Sequence, residues 1–196
     1  MNLPNKLTVG RIVLVPFFVA ALLVDFPLNY AVALLIFIIA SLTDLLDGKI
    51  ARKNQLVTDF GKFADPLADK ILVLSALLCF VQNGFCDCVA VIIVLFREFA
   101  VTSIRLMAAS KGSVVAANIF GKIKTVTQMI AIIAILAMQT VLELPSVGVT
   151  FAPDVFVLLQ NSFLIAGEIL VWISTVFAIL SGVIYISQNK HFISDC

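Results

Sequence analysis

The sequence predicts an all-α fold: a polytopic membrane bundle of six transmembrane helices with a short N-terminal interfacial helix. Three observations carry this. The 196 residues are 62% hydrophobic, with a mean hydropathy of +1.14, far outside the composition of a soluble globular domain. Six apolar runs, at 8–24, 29–50, 63–82, 88–109, 121–142 and 162–187, are each close to the ~20 residues that cross a bilayer core as a helix. Lysine and arginine are absent from one set of connections. Backbone in lipid must satisfy its hydrogen bonds internally, so one helical bundle, a single domain over residues 1–196, is the economical arrangement.

The charge pattern also orients the bundle. With the N-terminus on the cytoplasmic side, none of the 13 Lys and Arg falls in the external connections around 25–28, 83–88 and 143–161. Those connections carry Asp25, Asp87, Glu143 and Asp154 instead. This is the positive-inside pattern, and it places both termini and the connections after spans two and four in the cytoplasm. A net charge of +1 gives no electrostatic footprint for nucleic acid.

Taken in order, Met1 to Arg11 alternates polar and apolar residues, and Pro4 and Asn5 can start a helix, which suits a segment at the interface. Lys6 and Arg11 before an apolar run superficially resemble a signal peptide, but no A-x-A site follows, so the run is a retained first span. Span one is uncharged between Arg11 and Asp25 and tolerates Pro16 within a bundle. Span two ends, and span three begins, in the most charged stretch of the chain. Lys53 to Phe60, with Asn54, Gln55, Thr58 and Asp59, forms a polar hinge between them.

Span four carries Arg97, Glu98 and Arg105 among Val, Ile, Leu and Phe. Counted from Cys88, Arg97 lies about 13 Å deep, and Arg97 and Arg105 point within about 80° of each other at ~100° per residue. Either they line one polar cavity, or Arg97 pairs with a carboxylate such as Glu98 or Glu168 and Arg105 snorkels to the headgroups. Span five opens with Gly121-Lys122-Ile-Lys124-Thr125-Val-Thr127-Gln128. Snorkelling accounts for its lysines but not for polar residues continuing into the apolar run. The external segment from Leu144 to Gln160 reads as a simple connector. Span six contains Glu168 and Trp172 before a short tail with Lys190 and His191, a solvated histidine.

The charged stretch holds Asp44, Asp47, Asp65 and Asp69. Asp44 and Asp47 are i,i+3 and Asp65 and Asp69 are i,i+4, so on two helices each pair shares one face. Intramembrane carboxylates by default mark a functional site. Four of them converging cannot all stay ionised without a cation, and oxygen-only ligands favour Mg²⁺ or Mn²⁺ over zinc. Gly48, Ala51 and Gly61 leave room for a ligand against the helix backbone, and Arg52 offers a fork for phosphate. Scattered solvated carboxylates would explain the charge but not the interleaved Gly, Ala and Arg. Thr43, just before Asp44, is either a hydroxyl ligand or bonded back to its own helix.

The pattern D-x-x-D-G-x-x-A-R-x8-G-x-x-x-D-x-x-x-D over residues 44–69 resembles the signature of the class-I CDP-alcohol phosphotransferase family at all eight fixed positions. N-L-P-N-x-L-T-x-x-R at 2–11 and G-K-I-K-T-x-T-Q at 121–128 are similar to the branch that makes phosphatidylglycerophosphate. The resemblance implies a bacterial cytoplasmic-membrane enzyme of phospholipid biosynthesis, with its active site on the cytoplasmic side. It would convert CDP-diacylglycerol and sn-glycerol 3-phosphate to phosphatidylglycerophosphate and CMP. It implies two divalent ions, Mg²⁺ or Mn²⁺, held by Asp44, Asp47, Asp65 and Asp69, with Asp69 also the candidate general base. Gly48, Ala51, Arg52, Thr58 and Gly61 would seat the CDP-lipid, with the acyl chains left in membrane lipid. Arg97, Arg105, Lys122 and Lys124 would take the glycerol phosphate. A homodimer is compatible with the sequence. Other acceptors, namely inositol phosphate, serine or phosphatidylglycerol, use the same chemistry. A non-catalytic divalent-cation transporter would use the same carboxylates, but Arg52 beside them argues against a cation path.

Cys79, Cys86, Cys88 and Cys196 form no C-x-x-C pair and have no histidine partners, which excludes an ordinary zinc site. A Cys86–Cys88 disulfide would be cramped, so packed or idle thiols are expected. Cys196, as the last residue, cannot form a prenylation box. No Walker loop, G-x-G-x-x-G unit or G-x-S-x-G elbow is present, so ATP-driven transport and serine hydrolysis have no residues to stand on.

Overall fold

The computed structural model describes residues 3–53, 59–110 and 119–189, with side-chain surroundings given outside 3–6, 44–53, 59–66, 69 and 110. The described residues are all helical or in turns, with no strand. Six long helices follow the six apolar runs in order: α1 (Leu3–Leu23), α2 (Asn29–Lys53), α3 (Asp59–Gln82), α4 (Cys88–Ser110), α5 (Ile119–Glu143) and α6 (Pro153–Gln188). Two stretches, Ile119–Val147 and Pro153–Gln188, are long and apolar enough to cross a membrane, the latter with a mean hydropathy of 2.4. Leu7–Leu23, Asn29–Thr43 and Lys70–Gln82 are shorter apolar helical segments. Apolar side chains cover the outside: Phe96 is 74% exposed, Phe99 66% and Phe17 62%. So much exposed apolar surface marks a lipid-facing or protein-facing exterior rather than one adapted to water.

The helices differ from the apolar runs at their ends. Residues 3–11 are the first part of α1, continuous with the run that follows, and Thr8 and Arg11 are buried at 0% and 1% exposure. That burial ties this stretch into the protein interior as well as to any interface. Helix α6 starts at Pro153 instead of 162, with Asp154 in its first turn. Proline at the first helical position and an acid in the first turn are both helix-start signals. The expected connector is therefore a 3-10 turn, Leu144–Val147, closed by Gly148 at φ 94°, followed by α6 itself. That left-handed φ suits glycine.

The chain forms two compact units, one of Met1–Asn83 with Ile132–Phe163 and the other of Gly84–Ala131 with Leu164–Cys196. In the first, α1 packs on both α2 and α3, with the Phe18 and Phe37 rings 5.8 Å apart. Its interior holds Ala33, Phe37 and Ala40 of α2 and Ala68, Leu72, Ala76 and Phe80 of α3, each at 2% exposure or less. Small residues in these stripes let helix backbones approach closely.

The second unit buries Val91 and Val94 of α4 and Val171 and Ala178 of α6. Its polar residues on α6 are satisfied locally. Ser174 and Thr175 both bond back to the Val171 carbonyl, at 2.8 Å. Cys79, Cys86 and Cys88 are in no disulfide, as expected of idle thiols. Burial, aided by Asp87, Cys88 and Glu168, pushes the Cys86 thiol up to about 11, so it is a protonated, weak nucleophile at neutral pH.

Candidate active site

The motif lies on continuous helix on both sides of its hinge. Asp44, Asp47, Gly48, Ala51 and Arg52 are in α2, and Gly61, Asp65 and Asp69 are in α3. Thr58 lies outside the described residues, as do the side-chain surroundings of the eight motif residues. The backbone register is informative. The buried stripe Ala33, Phe37, Ala40 of α2 continues at the same 4-3 spacing to positions 44 and 47. In α3, positions 65 and 69 run in register with buried Leu72 and Ala76. By spacing alone, both carboxylate pairs fall at the register of those stripes on two helices of one unit.

Thr43 donates its hydroxyl to the Ile39 carbonyl, the back-bonded alternative of the two the sequence left open. No cluster of metal-ligating side chains occurs among the residues whose side-chain surroundings are described, a group that does not include the four aspartates. As a donor set the motif fits a hard divalent cation: four carboxylates, with no thiolate or imidazole between 44 and 69.

The four expected acceptor-site cations fall into two groups within the second unit. Arg97 and Lys124 are drawn together by Glu98, whose Oε1 accepts from Arg97 Nη1 and Lys124 Nζ, each at 2.7 Å. Arg97 Nε also donates to Ser181 Oγ at 3.0 Å. Of the two carboxylates considered for Arg97, Glu98 takes it. Gly182 makes room for the arginine stem, since a Cβ there would lie 3.0 Å from Arg97 Cγ. Arg105 is exposed, with its Nε 3.3 Å from Tyr185 Oη and its guanidinium carbon 5.5 Å from the ring centroid, a hydrogen bond with cation–π character. Lys122 is exposed. Lys111 lies outside the described residues.

Thr125 and Thr127 bond back to the Gly121 and Ile123 carbonyls, so their hydroxyls serve the helix. Gln128 is buried, at 2% exposure. The sequence reading missed Ser181, Gly182 and Tyr185 as partners of the arginines. Small and polar residues recurring on α6 at 174, 175, 181 and 182 were the available signal, because such residues in an apolar helix mark packed interfaces.

Two consecutive helices of an apolar, all-α chain thus carry the aspartate pairs at helical spacing, as the resemblance to a CDP-alcohol phosphotransferase implies. The chain belongs to the CDP-alcohol phosphatidyltransferase family, whose model matches residues 1–180. It is 42% identical over 200 residues to the CDP-diacylglycerol–glycerol-3-phosphate 3-phosphatidyltransferase of Bacillus subtilis, covering 96% of this chain and 95% of that one. The protein of the same name from Rickettsia bellii is 34% identical over 191 residues, covering 97% of each chain. A cardiolipin synthase (CMP-forming) from Oryza sativa is 34% identical over 202 residues, covering 96% of this chain and 57% of its own.

Proposed function

We propose that this protein transfers the phosphatidyl group of CDP-diacylglycerol to sn-glycerol 3-phosphate, releasing CMP and forming phosphatidylglycerophosphate. The observation that carries the reading is the full eight-position motif, set on two helices whose packed stripes run into Asp44, Asp47, Asp65 and Asp69. Full-length similarity to two bacterial proteins named for this reaction supports the acceptor.

Asp44, Asp47, Asp65 and Asp69 would hold Mg²⁺ or Mn²⁺, which would offset negative charge on the pyrophosphate and on departing CMP. Gly48, Ala51, Arg52, Thr58 and Gly61 seat the cytidine and its phosphates, while the acyl chains stay in the bilayer. The acceptor hydroxyl attacks the phosphatidyl phosphorus and the bond to the CMP oxygen breaks. Asp69 accepts the hydroxyl proton. Arg97, Arg105, Lys122 and Lys124 surround the phosphate of the acceptor, whose two charges would otherwise repel the pyrophosphate.

The same reading makes the chain one domain with six membrane spans. The first turns of α1 lie at the headgroups, and the motif and both termini face the cytoplasm. Lysine and arginine counts in the connections support that orientation. The reading includes a homodimer.

The test is an acceptor panel with radiolabelled CDP-diacylglycerol in mixed micelles. Glycerol 3-phosphate is expected to give CMP and labelled phosphatidylglycerophosphate. Inositol phosphate, serine and phosphatidylglycerol are expected to give none. Product from one of those three, with none from glycerol 3-phosphate, would reassign the acceptor. Full CMP formation in excess EDTA, after dialysis against the chelator, would remove the metal from the reading.

A further inference from the structure

Resting on the acceptor-site assignment above, we propose that Glu98 is a positioning residue: its carboxylate holds Arg97 and Lys124 side by side as a preassembled cation pair for the acceptor's phosphate. A single oxygen, Oε1, accepts from Arg97 Nη1 and Lys124 Nζ at 2.7 Å each. Ser181 fixes the far edge of the guanidinium through Nε at 3.0 Å. The Arg97, Glu98 and Lys124 side chains are 12%, 12% and 5% exposed.

Two cations share one carboxylate away from solvent. Without the carboxylate, adjacent buried cations repel each other, and the lysine loses its proton or swings out. With it, both stay charged and in place, side by side where the acceptor's phosphate is assigned. The edge of the cluster also keeps a donor in hand. Gln128 lies one turn beyond Lys124 on the same face of α5, is 2% exposed, and its Nε2 has no hydrogen-bond partner among the described residues. Phosphate oxygens are acceptors that such donors require. A carboxylate repels phosphate, so Glu98 acts through the two cations and does not itself touch the acceptor.

The experiment is steady-state kinetics in mixed micelles, each substrate varied separately, on wild type, Lys124→Gln, Glu98→Gln and the double variant. Lys124→Gln is expected to raise KM for glycerol 3-phosphate about tenfold, the scale of one lost charge-assisted hydrogen bond. KM for CDP-diacylglycerol is expected to stay within about twofold of wild type. Glu98→Gln is expected to show the same split, and the double variant to be no worse than the worse single one, the mark of two residues acting as a unit. Several results overturn the proposal while leaving the acceptor site standing. They are an unchanged KM in Glu98→Gln beside a raised one in Lys124→Gln, a fall in KM that marks competition with the acceptor, multiplicative losses in the double variant, or both substrates' KM rising together. An unchanged KM in Lys124→Gln instead overturns the acceptor-site assignment, and the proposal with it. Should Glu98→Gln fail to accumulate in membranes, Glu98→Asp is read the same way. It keeps the charge but shortens the reach by one methylene, so a raised KM for glycerol 3-phosphate alone supports positioning, and no change overturns it.

Discussion

The two ends of α2 carry their polar groups differently. At its N-terminal end the Tyr30 N–H donates to Glu143 Oε2 at 3.0 Å, and the N–H groups of Asn29 and Ala31 converge on the same carboxylate. Asn83 Nδ2 donates to the Leu22 carbonyl at 3.2 Å and lies 3.5 Å from Tyr30 Oη. Each group is answered by another part of the protein: a carboxylate at a helix N-terminus, where the free N–H groups and the dipole favour it, and an amide at the last turn of α1. At the other end, Asp44 and Asp47 extend the packed stripe, with Asp65 and Asp69 in register on α3. The difference teaches that a partner on another helix marks architecture, whereas on the proposed reading the aspartate end is completed by a ligand.

Substitutions at the two ends should separate along that line. The largest effect belongs to Asp44→Asn, Asp47→Asn and Asp65→Asn. Each is expected to lower CMP formation about a thousandfold or more, since metal stabilisation of developing charge is worth several kcal/mol. Gel filtration and thermal melting should stay at wild-type values. A variant that loses its fold instead would move that aspartate to the architectural side.

Next comes Asp69→Asn, expected to lower kcat about a hundredfold or more, the usual share of a general base, with KM for CDP-diacylglycerol nearly unchanged. Near-normal turnover would remove Asp69 from proton transfer. Smaller again are Arg105→Gln and Lys122→Gln, expected to raise KM for glycerol 3-phosphate about tenfold by the loss of roughly 1.5 kcal/mol or more. If both Michaelis constants stay within about twofold, the acceptor lies elsewhere.

The smallest effect on activity is expected from Glu143→Gln. Removing the charge from the α2 N-terminus should cost about 1 kcal/mol of stability, read as a lower melting temperature in detergent, with both Michaelis constants and kcat preserved. Lost activity without lost stability would erase the contrast between the two ends.

The six helices were legible because each apolar run is long and bounded by polar connections. Their ends were less so. Counting apolar residues discards Gln160 and Asn161 and starts the last span at 162, whereas Pro153 and Asp154 already hold a helix-start pattern. The aspartate spacings needed only helical geometry, which α2 and α3 provide. The acceptor cations were harder. Neighbouring residues on a helix do not normally face each other, yet the long side chains of Arg97 and Glu98 bend to meet, and Lys124 joins them from another helix, a tertiary fact no local pattern encodes. Thr125 and Thr127 looked functional because they are polar in an apolar run, but backbone carbonyls four residues earlier take their hydroxyls.

Gly182 brings no functional group, and a motif search would pass over it. A genetic screen for lost phospholipid synthesis should nonetheless recover it, because a Cβ at 182 would press to 3.0 Å on the stem of Arg97. Tolerance there should decline with side-chain volume, alanine milder than valine, in a size-graded allelic series quite unlike the all-or-none pattern of a charged residue. Second-site revertants should then map to Arg97 or to small residues around it, so suppressor genetics in whole cells could trace the packing of this arginine without a purified enzyme.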